Sequence, residues 1–277
     1  MTNMLRNDEI DDGFQDLADK ITRESEFRCC NYKDKCVRRR IAVRMRARGT
    51  ETYTQYAQLL DTDVDEYGRL IDVLTVNVTR FFRNPTTFAA VARHVVPDVW
   101  LREGRVDVWS AGSASGEEAY TLAALFFEHA TRLGELERLK RVHVTGSDID
   151  RRSLETADRA VYLPASFADT APELQDRLFP KAGECRTVAP PLRAITSFER
   201  RDILQQLQPA MSFDVIACRN VVIYLDRATQ ERLLDSLYEA LRPGGFLIMG
   251  HVETLFGKAR RHMIPVDLRE RIFRRPL

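Results

Sequence analysis

The sequence is most informative first for what it lacks. No apolar run approaches the roughly 18–20 residues that span a bilayer. The opening, MTNMLRNDEIDDGF, is acidic and polar and has no signal-peptide pattern. The expectation is a cytosolic protein with no membrane insertion. Excess charge of either sign is also missing: 42 Lys and Arg balance 41 Asp and Glu, a net +1. A globally basic nucleic-acid coat and an acidic tail protein are excluded. Cysteines are few, odd in number and irregularly placed, at Cys29, Cys30, Cys36, Cys185 and Cys218. No second Cys or His pair stands at zinc-finger spacing, so reduced thiols and no metal are expected. There is no internal repeat, no low-complexity tract and no Ser-His-Asp or Cys-His arrangement.

What is present falls into two parts, as 277 residues allow at roughly 150 per domain. Residues 1–85 carry no period-2 strand pattern and read as a small helical domain. A helix over Lys33–Arg48 stops at Gly49. Thr50 or Thr52 caps a second helix, with Tyr56, Leu59 and Leu60. Asp63 or Asp65 caps a third, with Leu70, Ile71, Leu74 and Val78 at helical spacing, and the Asn84-Pro85 step ends it.

Residues 86–277 alternate short apolar strands with amphipathic helices. Strands are expected at Arg105–Trp109, Arg141–Thr145, Phe213–Cys218 and Phe246–Met249. Helices are expected at Glu117–Ala130 and Asp226–Leu241, and a closing hairpin at His262–Arg274. This alternation predicts a Rossmann-like, mostly parallel α/β sheet covered on both faces. The stretch 161–201, with five prolines, breaks the pattern and reads as an inserted subdomain.

Ligands of such sheets bind at the carboxyl ends of the strands. The first strand runs into WSAGSASGEEAY, whose small residues let a ligand approach the backbone and whose helix start offers free N–H groups. A P-loop would need a lysine, and a dinucleotide loop would need G-x-G-x-x-G; this loop has only Gly112 and Gly116. Glu117 and Glu118 would repel a pyrophosphate and attract a cation. S-adenosylmethionine fits, having a sulfonium, an ammonium and no phosphate. The plainer alternative is that either Glu complements the helix dipole. The second strand ends in Gly-Ser-Asp148-Ile-Asp150, where an acid can hold ribose hydroxyls. Asp150 suits a helix cap better than Asp148 does.

At this point the residues resemble the CheR family of chemotaxis methyltransferases. The similarity lies in NVTRFFRN (77–84), VWSAGSASGEEAY (108–120), GSDID (146–150), FDVIACRNVVIYLD (213–226) and LRPGGFLIMGHVE (241–253). It spans nearly the whole chain. It implies methyl transfer from S-adenosylmethionine to glutamate carboxylates of chemoreceptors, leaving S-adenosylhomocysteine. It also implies the cofactor residues. Asn77, Thr79 and Arg83 line the pocket, Glu118 faces the methionine portion, and Asp148 takes the ribose. Arg219 and Asn220 lie near the cofactor. Asp202-Ile203 stands where the family often has Asn-Leu beside the adenine; Asp can accept from the amino group but cannot donate to a ring nitrogen.

A glutamate acceptor, with a reference pKa of about 4.3, is ionised at neutral pH and needs no general base. Arg83 is the expected carboxylate clamp, the alternative being an interdomain salt bridge. Tyr224 is the second catalytic candidate, the alternative being a half-buried aromatic. His143 and His251 read as packing or supporting groups.

The Lys33–Arg48 helix resembles the family's basic receptor-reading helix. Val37, Ile41 and Met45 form its buried stripe, Arg40 and Arg44 flank that stripe, and Arg39 and Arg46 point away. These four arginines are the expected docking set for the cytoplasmic helical domain of a receptor, with no nucleic-acid partner and a monomeric enzyme. Some members tether to a receptor pentapeptide through a Gly-containing insertion in the subdomain. Phe179–Asp202 is a few residues shorter, so a tether-independent enzyme is expected. Competing readings are an adenosylmethionine-dependent enzyme with another acceptor, and a cofactor-binding signalling module. The absence of an N/D-P-P-Y/F motif argues against base amino-group methylation.

Overall fold

The computed structural model describes residues 13–25, 27–75, 78–205 and 209–277. Contacts divide the chain into two compact units: Met1–Val76 with Tyr224–Thr229, and Asn77–Ile223 with Gln230–Leu277.

The first unit holds α1 (Phe14–Glu24), α2 (Asp34–Arg48), α3 (Tyr53–Thr62) and α4 (Val64–Leu74). Three of the boundaries have a plain local cause. Gly49 takes a left-handed conformation at φ 67°, and Thr50 N–H bonds back to Met45 O at 3.1 Å, ending α2. Thr52 and Gln55 form a reciprocal capping box on α3. Asp63 accepts from Glu66 N–H at 2.9 Å and starts α4. The third helix was expected to run on to Val78 and the Asn-Pro step. It stops at Leu74, where the Thr75 hydroxyl bonds the Ile71 and Asp72 carbonyls; Val78 is exposed and non-helical. Val37, Ile41 and Met45 are buried as one stripe with Leu17, Ile21, Tyr56, Leu60, Leu70 and Leu74.

The second unit opens on α5 (Pro85–His94), which Pro85 starts, and α6 (Val96–Trp100). The strands are β1 (Val106–Ala111), β2 (Val142–Asp148), β3 (Val161–Tyr162), β4 (Lys181–Ala182), β5 (Cys185–Thr187), β6 (Thr196–Arg200), β7 (Phe213–Cys218), β8 (Leu241–Met249), β9 (Ile264–Asp267) and β10 (Ile272–Arg274). The remaining helices are α7 (Glu117–Leu133), α8 (Arg151–Arg159), α9 (Pro172–Leu178), α10 (Pro190–Ala194), α11 (Arg227–Ala240) and α12 (Gly257–His262).

Seven strands form one sheet in the order β6-β2-β1-β7-β8-β10-β9. The first five are mutually parallel, and β10 pairs antiparallel with β8 and β9 as the expected closing hairpin. β1 is buried nearly throughout, as a strand covered on both faces must be. Chain order reverses between β1 and β7, which places a ligand crevice at their carboxyl ends. A separate three-stranded sheet, β3-β5-β4, lies in the proline-rich stretch. The sequence pattern predicts that this stretch runs to about residue 201. Its last strand, β6, instead pairs with β2 as an edge of the main sheet. One short polar-containing strand carries too weak an alternation to be recognised alone.

Candidate cofactor site

The loop after β1 is shaped by its smallest residues. Gly112, Ala114 and Gly116 all have positive φ, at 78°, 46° and 91°. A Cβ on Gly112 would come within 2.6 Å of Val221 Cγ2, and one on Gly116 within 2.7 Å of Ala157 Cβ. Gly112 and Ser113 N–H groups both donate to Ser147 O at 2.9 Å. Ala114 N–H donates to Asp148 Oδ2 at 2.8 Å, and Asp150 N–H to Asp148 Oδ1 at 3.0 Å. Asp148 thus braces the loop while retaining lone pairs. Burial pushes its carboxyl above the usual range, despite those backbone bonds. Asp150 caps α8 through the Arg152 and Ser153 N–H groups.

The two glutamates separate. Glu117 is 3% exposed and accepts from the Ser115 hydroxyl at 2.7 Å and the Ser166 hydroxyl at 3.2 Å. Burial raises its pKa. Glu118 Oε1 accepts from the Ser110 hydroxyl at 2.8 Å, and its Oε2 lies 3.3 Å from Arg219 Nη1. Arg219 is buried at the end of β7. Its Nη2 donates at 2.9 Å to both Arg83 O and Asn84 Oδ1, and its guanidinium lies 4.8 Å from the Phe88 ring centroid. One buried cation therefore joins Glu118, Arg83 and Asn84. Phe82, Asn84 and Asn220 are also in left-handed conformations, at φ 53°, 64° and 61°. With Ala114, four of the seven non-glycine residues of this kind among the described residues fall in these three segments.

The donor set suits a cationic, hydroxyl-bearing, phosphate-free group. It comprises two carboxylates and a close-approach backbone. Ser113 Oγ is buried with no partner among the described residues, and the loop has no lysine. The comparisons agree. The family described as CheR methyltransferase, SAM binding domain, matches residues 77–272. The one described as CheR methyltransferase, all-alpha domain, matches residues 12–75. The chain belongs to the CheR methyltransferase family.

Its cofactor is S-adenosylmethionine. The chain is 33% identical over 250 residues to a chemotaxis protein methyltransferase of Klebsiella aerogenes, covering 87% of this chain and 82% of that one. It is 31% identical over 247 residues to chemotaxis protein methyltransferase 2 of Pseudomonas aeruginosa, covering 87% and 86%. It is 34% identical over 243 residues to an uncharacterised 104.1 kDa protein in the hypE 3′ region of Rhodobacter capsulatus, of which it spans only 25%.

In this CheR chain, the expected site residues divide by place. Arg83, Glu118, Asp148, Arg219 and Asn220 come together around the β1 and β7 ends. Asn77 lies outside the described residues. Thr79 is half-buried in the non-helical 78–80 segment. Arg83 Nη1 donates to Val78 O at 2.7 Å and, among the described residues, forms no ion pair. Asp202 closes a local turn, accepting from Leu204 N–H at 2.8 Å and Gln205 Nε2 at 2.5 Å, with Ile203 half-buried inside it. Tyr224 groups with the helical unit. Its ring centroid is 4.5 Å from the Arg40 guanidinium, and its carbonyl accepts from Lys33 N–H at 2.9 Å.

The docking set needs correction. Arg40 is buried, bonded to Leu74 O and stacked on Tyr224, and burial lowers its pKa. Arg44 is committed to Glu66 through bonds of 2.9 and 2.6 Å. Residues flanking a buried stripe can turn either way, and tertiary partners drew these two inward. Arg39 and Arg46 remain exposed.

Glu253 stands at the end of the LRPGGFLIMGHVE motif. It is 2% exposed and accepts from Gly250 N–H at 2.7 Å and Ile223 N–H at 3.4 Å, with further backbone bonds from Asn220 and Val222. Burial raises its pKa. It shapes the 220–223 turn that follows Arg219. Its signal in sequence was a lone acid after a buried apolar strand. His251 is a supporting group, 2.8 Å from both Glu270 and Thr87. No group of three metal-ligating residues and no membrane-length apolar helix occurs among the described residues.

Proposed function

We propose that this enzyme methylates glutamate side chains of methyl-accepting chemotaxis receptors, giving methyl esters and S-adenosylhomocysteine. The observation that carries this reading is the buried Arg219 clamp, which ties the Arg83 segment to the glycine loop and leaves the Arg83 side chain without a carboxylate partner among the described residues. Bound adenosylmethionine supplies an electrophilic methyl on a sulfonium; transfer to a carboxylate oxygen breaks the carbon–sulfur bond and leaves the electron pair on sulfur. Asn77, Thr79, Asp148, Asp202, Ile203 and Asn220 are the proposed cofactor contacts, with Glu118 toward its cationic end. Arg83 orients the acceptor carboxylate, and it must do so without full pairing, which would quench the nucleophile. The Tyr224 hydroxyl positions the acceptor or contacts the methyl donor. Alignment of this kind contributes roughly 7–11 kcal/mol.

The partner is the cytoplasmic helical domain of a receptor, read by the helical domain at residues 1–85. Exposed Arg39 and Arg46 steer an acidic helix. The enzyme acts as a monomer in the cytoplasm. Tether independence is supported by the short hairpin of the subdomain, where only Gly183 and Glu184 join β4 to β5. A titration with a receptor-tail pentapeptide is expected to give no micromolar binding.

The deciding experiment incubates the enzyme with labelled adenosylmethionine and receptor-containing membranes, then releases volatile methanol with base. A base-labile signal lost in Arg83→Ala is expected. Cofactor binding with no base-labile product points to another acceptor or to a signalling module.

A further inference from the structure

The inserted subdomain touches both cofactor segments of its own unit. Tyr162, on β3, is 4% exposed, and its hydroxyl donates to Ser115 O at 2.7 Å. Ser115 lies inside the glycine loop, between two positive-φ residues, Ala114 and Gly116. Ser166 has two bonds. Its hydroxyl donates to Glu117 at the start of α7, and its carbonyl accepts from Phe81 N–H at 2.9 Å. The Thr170 hydroxyl donates to Phe81 O at 3.3 Å. Both backbone polar groups of Phe81 are therefore held by the subdomain. The Phe81 ring is stacked on Phe167 at 4.6 Å and lies 4.5 Å from Phe179 and 4.9 Å from Tyr162.

These contacts are unusual for an insertion whose task is only outward. A loop with three left-handed residues in five, two of them freely jointed glycines and one the strained Ala114, needs external restraint to hold one conformation. Part of that restraint comes from β2, through Ser147 and Asp148. The carbonyl of Ser115 takes its bond from Tyr162. The aromatic cluster then fixes the Phe81 segment, which leads to Arg83, against the same subdomain.

We infer that the subdomain is a structural part of the cofactor site, and that Tyr162 is a positioning residue that sets cofactor affinity by holding the Ser115 carbonyl. The inference rests on the adenosylmethionine reading of the loop and adds residues that are not among the proposed cofactor contacts. Tyr162→Phe removes one hydroxyl and keeps the aromatic packing. Tyr120→Phe is the comparator. It too loses a buried tyrosine bond, to Ala157 O at 3.0 Å, which is not a carbonyl of the loop.

Calorimetric titration with adenosylhomocysteine should show Kd rising about fivefold in Tyr162→Phe and little change in Tyr120→Phe, as expected for one lost hydrogen bond. The KM for adenosylmethionine should rise with kcat unchanged. In the ligand-free protein, hydrogen exchange at Gly112–Gly116 should accelerate in Tyr162→Phe alone. Should that variant fold poorly, Ser166→Ala replaces it, with faster exchange expected at the start of α7. Wild-type Kd and wild-type loop exchange in Tyr162→Phe, or equal changes in both tyrosine variants, would overturn the inference. Failure of the wild-type protein to bind adenosylhomocysteine would instead count against the cofactor reading, and the exchange comparison would still decide the role of Tyr162.

Discussion

Arg219 holds Arg83 by its backbone: Nη2 of the first donates to the carbonyl oxygen of the second at 2.9 Å. The same guanidinium reaches Asn84 and Glu118, so its planar fork spans three partners at once. Lysine carries its three donors on a single nitrogen and cannot reproduce the two donor positions of the fork. Arg219→Lys should raise the adenosylhomocysteine Kd about tenfold, the scale of a lost charge-assisted bond. Calorimetry checks this, and an unchanged Kd would sink the clamp.

Gly116 has no room for a methyl group. Its φ is 91°, and a Cβ would meet Ala157 Cβ at 2.7 Å and Phe198 Cζ at 2.8 Å. Gly116→Ala should cost roughly 1–3 kcal/mol from overpacking. Chemical denaturation measures the cost, and cofactor binding should weaken with it.

Glu66 and Glu117 should respond to pH with opposite signs. Burial pushes the Glu66 carboxyl up, yet its bonds from Arg44 and Tyr56 outweigh that, so it sits below the ordinary 4.5. Its stabilisation is present above the unfolded value and is lost as pH falls through the lowered folded value. Glu66→Gln should destabilise the helical unit by about 3 kcal/mol at pH 7. The deficit should shrink in acid. Burial instead raises Glu117. Its favourable contribution is present below the unfolded value and is lost as pH rises through the raised folded value. Glu117→Gln should abolish that loss. Thermal melts from pH 3 to 8 test both, and parallel wild-type and variant curves would contradict them.

Arg39 and Arg46 should matter for encounter, and Arg40 for integrity. The double change Arg39→Glu with Arg46→Glu should lower the methylation rate on receptor membranes about tenfold at low salt and flatten its salt dependence. Melting temperature should not move. Arg40→Ala should lower the melting temperature, because it removes a buried cation from Leu74 O and Tyr224. An exposed-pair variant with wild-type salt dependence would end the steering proposal.

Features governed by neighbours in the chain were legible. Gly49 and Asp150 mark helix ends, and the caps that form, Thr52 and Asp63, lie within the expected pairs Thr50 or Thr52 and Asp63 or Asp65; the bonds reach two to five residues. The apolar runs of β1, β2 and β7 mark buried parallel strands. The glycine loop excluded phosphate ligands by residue type alone. The α4 end was misplaced because apolar spacing continues past the last helical residue, Leu74, and does not mark where the helix stops. β6 was missed because it is an edge strand of mixed burial.

The sequence by itself determined the fold class and the residue types of the cofactor loop, since these depend on short-range periodicity, caps and backbone sterics; the family resemblance was carried by its five motifs. Only the tertiary structure decided which of two adjacent glutamates turns inward, to Ser115 and Ser166, and which meets Arg219. It alone drew Arg40 and Arg44 from the surface and gave Glu253 and Tyr162 their loops to hold. Apart from the short-range bonds of Ser115 and Gly250, those outcomes rest on partners tens of residues away, where the need to satisfy a buried charge or carbonyl selects the contact.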